Sequence, residues 1–184
     1  RAAESGGRAV PSLGGSVQGE ARGLGAAHAE LARALGAEGL RAVILSGGEC
    51  SVKVADPEGR GGRNLEYLLG MAIALDGAAG ISAIACDTDG IDGSSDAAGA
   101  LVFPDTLERA RRLGLDPSEH LARNRSHDFF ERLGDLVVTG PTLTNVGDFR
   151  AIAIEPRVGG EGPPRSERHH PLARLARSHA LPRE

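Results

Sequence analysis

Short apolar runs alternate along this chain with longer segments of helical periodicity, and most runs end in a glycine-rich polar turn. The runs read "AVIL", "ISAIAC", "LVVTG" and "FRAIAIE", and continuous apolar runs are typical of strands buried on both faces. The segment "NLEYLLGMAIALD" is apolar almost all round, which indicates a helix packed deep against a sheet. The pattern predicts an α/β fold: a layered sheet of mainly parallel buried strands, helices on its faces, and polar loops clustered at the strand ends.

Composition divides the chain into three segments. Residues 1–40 consist of a leader, residues 1–18, which is rich in Gly, Ser and Pro, and a predicted helix from Gly19 to Leu40. Residues 41–155 hold the predicted α/β domain, and a chain of 184 residues is long enough for one such core. Residues 156–184 are rich in Pro, Gly and Arg, so we expect a disordered tail in which "LARLARSHAL" could form a short helix.

Charge and composition exclude several classes of partner. The formal net charge is −4 with both signs interspersed, so the sequence predicts neither a nucleic-acid nor a membrane partner. An aromatic content of 3% also argues against a base-stacking surface. Cys50 and Cys86 lie in apolar surroundings and there is no disulfide framework. We therefore expect a cytoplasmic protein with two reduced thiols.

The loop "CDTDGIDGSSD" places four aspartates within ten residues: Asp87, Asp89, Asp92 and Asp96. The spacing does not match a calcium-binding EF-hand. Two interpretations remain open. The aspartates could be turn formers, with Asp96 or Ser95 capping a helix. Alternatively, carboxylates that repel one another at the end of a buried strand indicate a nearby cation, either Mg²⁺ or an arginine.

Three further loops offer hydrogen-bonding groups for a ligand. In "GRGGRN" two glycines lead into a helix, so backbone N–H groups and the Arg63 side chain could bind a phosphate or carboxylate. The loops "LSGGE" and "TGPTLTN" each follow a predicted strand. Each loop alone is also explained as an ordinary turn. Together the four loops supply the groups that a phosphorylated ligand with a divalent ion requires.

Other chemistries find no support in the sequence. The six histidines lie on predicted helices or in the tail, without metal-ligand spacing near a cysteine, so none is predicted to bind a metal: His28, His120, His127, His169, His170 and His179. A Gly-x-Ser-x-Gly nucleophile turn and a dinucleotide-binding glycine fingerprint are both absent from the sequence.

Taken in order, four motifs closely resemble the C-terminal MOFRL domain of the glycerate 2-kinases. They are "LSGGECSVKV", "GRGGRNLEYLLGMAIALDG", "CDTDGIDGSSDAAGALV" and the run from "LGLDPSEHLARN" to "NVGDFRAIAI". The resemblance extends from about Leu45 to Ile154, and "GEAR" near residue 20 resembles the end of the preceding kinase domain, which makes residues 1–40 its remnant. It implies transfer of the ATP γ-phosphate to the 2-hydroxyl of D-glycerate, with Mg²⁺, in a cleft between two domains.

The resemblance also implies roles for individual residues. Arg63 would be the catalytic residue, stabilising the transferring phosphoryl group or holding the glycerate carboxylate. The metal would be organised by Asp87, Asp89 and Asp92. Substrate and nucleotide would contact residues from three loops: Ser46, Gly47, Gly48, Glu49, Asn64, Glu66, Thr142, Thr144 and Asn145.

Two departures from the family pattern change the expectation for this chain. Leu65 stands where the family usually has Gln, which removes a polar side chain near Arg63. In addition, the larger N-terminal domain of the family, with its essential lysine, does not precede residue 1. We therefore expect the chain alone to have little or no kinase activity, and three explanations stay open: a truncated gene product, a partner of a separately encoded N-terminal half, or an isolated domain. A noncatalytic module that binds phosphate or a hydroxy acid is the alternative, and a hydroxypyruvate reductase, a label some members carry, is the third hypothesis.

Overall fold

The computed structural model describes residues 10–155, which form helices packed against a mixed set of short and long strands. The five helices are α1 (Ala21–Ala37), α2 (Arg63–Leu75), α3 (Thr106–Arg112), α4 (Pro117–Ala122) and α5 (Ser126–Leu133). The seven strands are β1 (Gly19–Glu20), β2 (Ala42–Gly48), β3 (Cys50–Ser51), β4 (Ile81–Asp87), β5 (Gly99–Val102), β6 (Leu136–Val137) and β7 (Asp148–Ile154). The α/β class predicted from the sequence is confirmed.

The prediction of a mainly parallel sheet is wrong. The main sheet has the order β2-β7-β4-β5-β6, and every neighbouring pair in it is antiparallel. Strands β2 and β4 do run in the same direction, as a strand–helix–strand unit requires, but β7 returns between them in the opposite direction. Parallel pairing within residues 10–155 is limited to the short ribbon of β1 and β3, two residues each, and an isolated bridge between Ser12 and Leu45. A continuous apolar run indicates that both faces of a strand are buried. It does not indicate whether the strand is parallel or antiparallel to its neighbours.

The two faces of the sheet carry different neighbours. The face that packs on α1 and α2 contributes alternate residues of each strand to the main core, including Ile44, Ala83, Ile152 and Ile154. The opposite face holds a smaller apolar cluster that includes Ile84, Val137, Ala151 and Ala153. Burial on both faces explains why the strands read as unbroken apolar runs in the sequence.

Helices α1 and α2 approach closely because small residues lie between them. A methyl group added at Gly25 would meet the Tyr67 carbonyl oxygen at 2.0 Å, and one at Gly70 would meet the Arg22 carbonyl oxygen at 2.5 Å. Residues of the predicted leader-and-helix segment therefore pack into the same core as the α/β domain. The division of the chain at residue 40 stays a prediction.

Most of the predicted elements are confirmed, with shorter ends. The Glu20 carboxylate caps α1 by accepting a hydrogen bond from the Gly23 N–H at 2.9 Å, and Asp116 caps α4 with Pro117 at the first helical position. Strand β3 is limited to Cys50–Ser51, although the stretch "CSVKVA" alternates apolar and polar residues as far as Ala55. Within residues 10–155, none of the helices has the length and hydropathy needed to cross a bilayer. The predicted tail lies outside the described residues.

Candidate functional site

Three loops and one helix terminus meet at a single edge of the sheet. Asp148 opens β7, and its register partners are Gly48 at the end of β2 and Asp87 at the end of β4. The loops after β2 and β4 therefore leave the sheet beside the loop that enters β7. The N-terminus of α2, with Arg63 as its first residue, lies against this edge because Arg63 binds both carboxylates.

Arg63 is held by two carboxylates while its side chain keeps 29% of its surface exposed. Its Nη2 donates to Asp87 Oδ2 at 2.6 Å, and its Nε donates to Asp148 Oδ1 at 2.8 Å. Burial alone would lower the pKa of Arg63, but the hydrogen bond and negative charge of Asp148, together with the charge of Asp87, raise it. The guanidinium is therefore permanently charged and fixed in direction.

Asp148 connects Arg63 to a second, fully buried arginine. Arg150 Nη2 donates to Asp148 Oδ2 at 2.6 Å, and its Nη1 donates to the Gly47 carbonyl at 3.2 Å. The guanidinium also lies over the Tyr67 ring, 5.3 Å from its centroid, at cation–π distance. Only 1% of the Arg150 surface is exposed. A buried charge of this kind requires its carboxylate partner.

Asp92 supplies the N-terminal cap that α2 lacks in its own sequence. The N-cap residue is Gly62, which has no side chain. Instead, Asp92 Oδ1 accepts from the Asn64 N–H at 3.0 Å and Oδ2 accepts from the Leu65 N–H at 2.9 Å. Burial raises the pKa of Asp92 to about 6, against the opposing effect of these hydrogen bonds. The carboxylate therefore holds the loop after β4 against the start of α2.

Asn64 links the two buried carboxylates. Its Nδ2 donates to Asp92 Oδ1 at 3.2 Å and to Asp148 Oδ1 at 2.8 Å. Asn64 itself is fully buried, and its Oδ1 has no hydrogen-bond partner within residues 10–155. The side chain thus orients the aspartates rather than facing a ligand.

The other three aspartates of the loop, Asp87, Asp89 and Asp96, are more exposed than Asp92. Asp87 is buried, which raises its pKa, whereas the Asp89 N–H that donates to Oδ1 at 3.2 Å and the charge of Arg63 act in the opposite direction. Asp89 accepts from the Ile91 N–H at 2.9 Å, and Asn145 Nδ2 lies 3.4 Å from its other oxygen. Asp96 is 74% exposed and pairs with Arg60 at 2.8 Å.

Two clefts flank the Arg63–Asp87 ion pair. One, of about 430 Å³, is lined by Arg63 and Glu66 together with Cys50, Gly61, Gly62 and Asn124. The other, of about 410 Å³, is lined by Asp87, Thr88, Thr142 and Thr144 with apolar residues of the sheet, including Phe149. Arg63 and the aspartate loop therefore share one region of the surface, with the ion pair between the two openings.

The loop after β2 is less open than the sequence suggests. Ser46 is buried in β2, and Gly47 donates to the Gly14 carbonyl at 3.0 Å. Gly48 has a φ of 110° and lies so close to Val17 that an added methyl group would meet its backbone at 2.4 Å. The two glycines thus accommodate residues 14–17, and only Glu49 in this group is exposed.

Glu66 and Leu65 lie in the interior. Glu66 accepts from Arg22 Nη2 at 2.8 Å and from Asn124 Nδ2 at 3.0 Å, and burial raises its pKa. Leu65 belongs to the main core with no exposed surface. The residue that departs from the family pattern therefore packs beneath the site, and only its N–H contacts Asp92.

Thr142, Thr144 and Asn145 belong to the loop before β7. The Thr142 N–H donates to the Asp89 carbonyl at 3.0 Å, and its hydroxyl donates to the Thr88 carbonyl. These bonds dock the "TGPTLTN" loop onto the aspartate loop. Thr144 and Asn145 are exposed at the surface that the two loops share.

Asp87, Asp89 and Asp92 do not form one joint cation-binding cluster within residues 10–155. Asp92 is turned inward, and three N–H donors occupy its oxygens. One oxygen of Asp87 is bound by Arg63 and the other by the Asp89 N–H. This donor set fits the arginine interpretation of the loop better than a direct Mg²⁺ site.

Asp148 and Arg150 are absent from the predicted site although they are central to the observed one. Their signal in the sequence is the stretch "DFRAIAI", in which a carboxylate and a guanidinium two residues apart interrupt a buried strand. Side chains two apart point to the same face of a strand, so an ion pair buried on the helix side of β7 could have been predicted.

Comparison with known proteins agrees with this architecture. Residues 42–148 match the MOFRL family, which is more than half of the 184-residue chain. A D-glycerate 2-kinase of Thermotoga maritima is 43% identical over 107 residues, covering 58% of this chain and 25% of the relative. The crystal structure of a glycerate kinase from Thermotoga maritima superimposes with a TM-score of 0.79 at 36% identity, covering 83% of this chain and 37% of the other.

A third similar protein is not named as a glycerate kinase. A protein of Agrobacterium vitis, provisionally named hydroxypyruvate reductase, is 54% identical over 147 residues, covering 77% of this chain. This chain spans 38% of the length of that relative. The match of residues 42–148 nevertheless covers the site from β2 to the start of β7. The chain belongs to the MOFRL family.

Proposed function

We propose that this chain supplies the C-terminal, arginine-bearing half of a glycerate 2-kinase site. In this proposal the complete enzyme transfers the ATP γ-phosphate to the 2-hydroxyl of D-glycerate in the cytoplasm. The names of the kinase relatives support the reaction class. The observation that carries the proposal is the position of Arg63, which is fixed by two carboxylates and still borders a cleft.

The geometry of Arg63 leaves donors for an anion. A guanidinium has five N–H groups in a planar fork, and Asp87 and Asp148 occupy two of them. The remaining three could bind a phosphoryl oxygen or the glycerate carboxylate in two-point fashion. Because the two aspartates fix the side chain before the ligand arrives, binding would cost little side-chain entropy.

The start of α2 adds a second group of donors. Asp92 occupies the N–H groups of Asn64 and Leu65. The N–H groups of Gly62 and Arg63 make no hydrogen bond within residues 10–155, and a helix N-terminus carries partial positive charge. Since Gly62 and Arg63 both line the cleft of about 430 Å³, an anion there would meet backbone and side-chain donors together.

The proposed function includes Mg²⁺ and ATP because the reaction is a phosphoryl transfer from ATP. Mg²⁺ supplies charge neutralisation on the nucleotide phosphates when it is bound. Asp89, at the surface beside Asn145, is the carboxylate of the loop best placed to approach such a complex. The roles derived for Arg63, Asp87 and Asp148 are binding and orientation, and none of them depends on direct contact with the ion.

We further propose that turnover requires an N-terminal kinase domain in addition to residues 1–184. It spans 25% of the Thermotoga maritima kinase sequence and 38% of the Agrobacterium vitis relative. Phosphoryl transfer requires the nucleotide, the acceptor and the neutralising charges to be positioned together. An N-terminal kinase domain, whether joined to this segment or separately encoded, would provide the other wall of the cleft.

A hybrid enzyme tests this function. Residues 19–155 of this chain, which include α1 and the core that it shares with α2, would replace the corresponding part of the Thermotoga maritima D-glycerate 2-kinase, and ADP release would be followed with D-glycerate. We expect glycerate-dependent ADP formation, and a loss of about 100-fold or more in kcat/KM for Arg63→Ala, as for removal of a transition-state donor. Arg123→Ala, on the exposed side of α4, is the matched control. A folded hybrid without activity, or an Arg63→Ala hybrid as active as its parent, contradicts the proposal.

The name of the Agrobacterium vitis relative supports a second candidate, a reductase acting on hydroxypyruvate. That reaction requires a nicotinamide cofactor, for which the sequence holds no dinucleotide fingerprint. Titration of the chain with NADH and NADPH, monitored by cofactor fluorescence, distinguishes the kinase hypothesis from the reductase hypothesis. Saturable cofactor binding would favour the reductase, whereas binding of D-glycerate without cofactor binding favours the kinase half or a noncatalytic binding module.

A further inference from the structure

His127, the second residue of α5, has a buried ring with one satisfied and one unsatisfied nitrogen. The residue is fully buried, and its Nδ1 lies 2.8 Å from the Ser95 hydroxyl. Its Nε2 has no hydrogen-bond partner within residues 10–155. A buried polar atom without a hydrogen-bond partner raises the free energy of the folded state. A ligand that binds this nitrogen would remove that penalty.

The unsatisfied nitrogen faces carboxylates at more than hydrogen-bonding distance. Glu131 Oε1 and Asp96 Oδ1 each lie 3.7 Å from His127 Nε2. A ring nitrogen of His127 and carboxylate oxygens of Asp128 and Glu131 also lie within 4.8 Å of one another. Hydrogen bonds to nitrogen are shorter, about 2.7–3.2 Å. The space between these atoms is too wide for a direct bond.

That spacing matches ligands around a small cation. Two ligand atoms that each lie about 2.1 Å from Zn²⁺ in a tetrahedral arrangement are about 3.4 Å apart. The separation of 3.7 Å between His127 and Glu131 differs from this value by a few tenths of an ångström. One imidazole with carboxylates is a ligand set that suits Zn²⁺ and related transition ions.

The second nitrogen of the ring is held as a metal-binding histidine requires. Metal-ligating histidines donate their other N–H to an acceptor, which fixes the tautomer. Here Ser95 Oγ is available to His127 Nδ1, and the hydroxyl oxygen is itself held by the Ala97 N–H at 2.9 Å. With the proton on Nδ1, the lone pair of Nε2 is available to a metal ion, and the oxygens of Glu131 and Asp96 lie 3.7 Å from this nitrogen.

We propose that His127, Asp128 and Glu131 form a Zn²⁺ site on α5, beside the loop after β4. Asp96 is an outer carboxylate of this site, because Arg60 already binds its Oδ1 at 2.8 Å. The site lies behind the glycine turn that presents Arg63: the His127 N–H donates to the Arg60 carbonyl at 3.0 Å. A methyl group at Gly61 would meet Ser126 Oγ at 2.4 Å. The bound ion therefore stabilises that turn.

Calorimetric titration of the full chain with ZnCl₂ tests the site without any assay of activity. His169, His170 and His179 in the tail could also bind zinc, so all three are replaced by Ala in every protein that is compared. We expect one zinc ion per chain, an increase in Tm with zinc, and affinity lowered at least about tenfold by Glu131→Gln or Asp128→Asn. Both side chains are at least partly exposed, so these substitutions leave folding intact.

Glu119→Gln on α4 is the matched control, because Glu119 is about as exposed as Glu131 and its carboxylate pairs with Arg123 across one helical turn. It should leave zinc affinity unchanged. Long-range ¹H–¹⁵N NMR should show zinc shifting Nε2 of His127 while Nδ1 stays protonated. The proposal is overturned if the chain binds no zinc, if Glu131→Gln and Asp128→Asn bind zinc as tightly as the parent, or if the His127 nitrogens do not respond.

Discussion

Arg63 and Arg150 are bridged by the two oxygens of a single carboxylate, that of Asp148. Arg63 Nε donates to Oδ1 at 2.8 Å, and Arg150 Nη2 donates to Oδ2 at 2.6 Å. One arginine borders the cleft and the other is fully buried over Tyr67. The direction of the cleft arginine is therefore set by a charge network that begins inside the core.

Substitution of Asp148 by Asn should be strongly destabilising. The change leaves Arg150 as a buried cation without its closest counter-ion, and breaking a buried ion pair costs about 3–5 kcal/mol. Urea unfolding of both proteins measures the loss. Asp76→Asn is the control, because Asp76 is 74% exposed in a surface pair with Arg111 and should change stability by less than about 1 kcal/mol. Equal effects of the two substitutions would show that the network does not hold the fold.

Asp92 should make stability depend on pH between about 4 and 6. Burial raises the pKa of Asp92 from 3.8 to about 6 in the folded state, so the folded chain binds more protons than the unfolded chain in this range. The contribution of the group is then fully present below about pH 4 and is lost as the pH rises through 6. We expect a decline of up to about 3 kcal/mol in the stability of the parent relative to Asp92→Asn over this range.

Thermal or urea unfolding of both proteins at several pH values measures this difference. Carboxyl ¹³C NMR gives an independent check, with a midpoint near pH 6 expected for Asp92. A flat difference between parent and variant, or an NMR midpoint near pH 4, would show that the capping carboxylate is not desolvated as its burial indicates.

Gly62 should tolerate no side chain. A methyl group there would meet the backbone and carboxyl carbon of Asp92 at 2.4–2.5 Å, which would push the capping carboxylate away from α2. We expect Gly62→Ala to lose about 2 kcal/mol or more through loss of the cap and overpacking. The matched change is Gly36→Ala in α1, where the nearest atom would be Ile154 Cγ2 at 3.5 Å. It should be neutral or stabilising by up to about 1 kcal/mol. Similar losses at both glycines would contradict the close contact with Asp92.

The elements of this fold could be predicted from local patterns, but the direction of the strands could not. Apolar periodicity predicts helices at the positions of α1 and α2. The antiparallel insertion of β7 between β2 and β4 is a long-range pairing, and no local signal distinguishes it from a parallel neighbour when both faces of each strand are buried.

The site was predictable in outline because its residues cluster in loops. The pairing of Arg63 with the aspartate loop is confirmed by its hydrogen bond to Asp87. The inward turn of Asp92 was not predictable, since a distant carboxylate that caps a helix beginning at glycine leaves no sequence signature. In the same way, the juxtaposition of His127 with Ser95 depends on the packing of α5 against the loop after β4.

Calorimetric titration of the full chain with D-glycerate, and separately with Mg²⁺ and ATP, tests most directly whether Arg63 forms an anion site. We expect measurable heat for the parent protein and affinity lowered at least about tenfold by Arg63→Ala, since a charge-assisted hydrogen bond contributes about 1.5–3 kcal/mol. Arg123→Ala should bind as the parent does. Absence of binding to the parent, or equal affinity of the parent and Arg63→Ala, would show that Arg63 does not form an anion site.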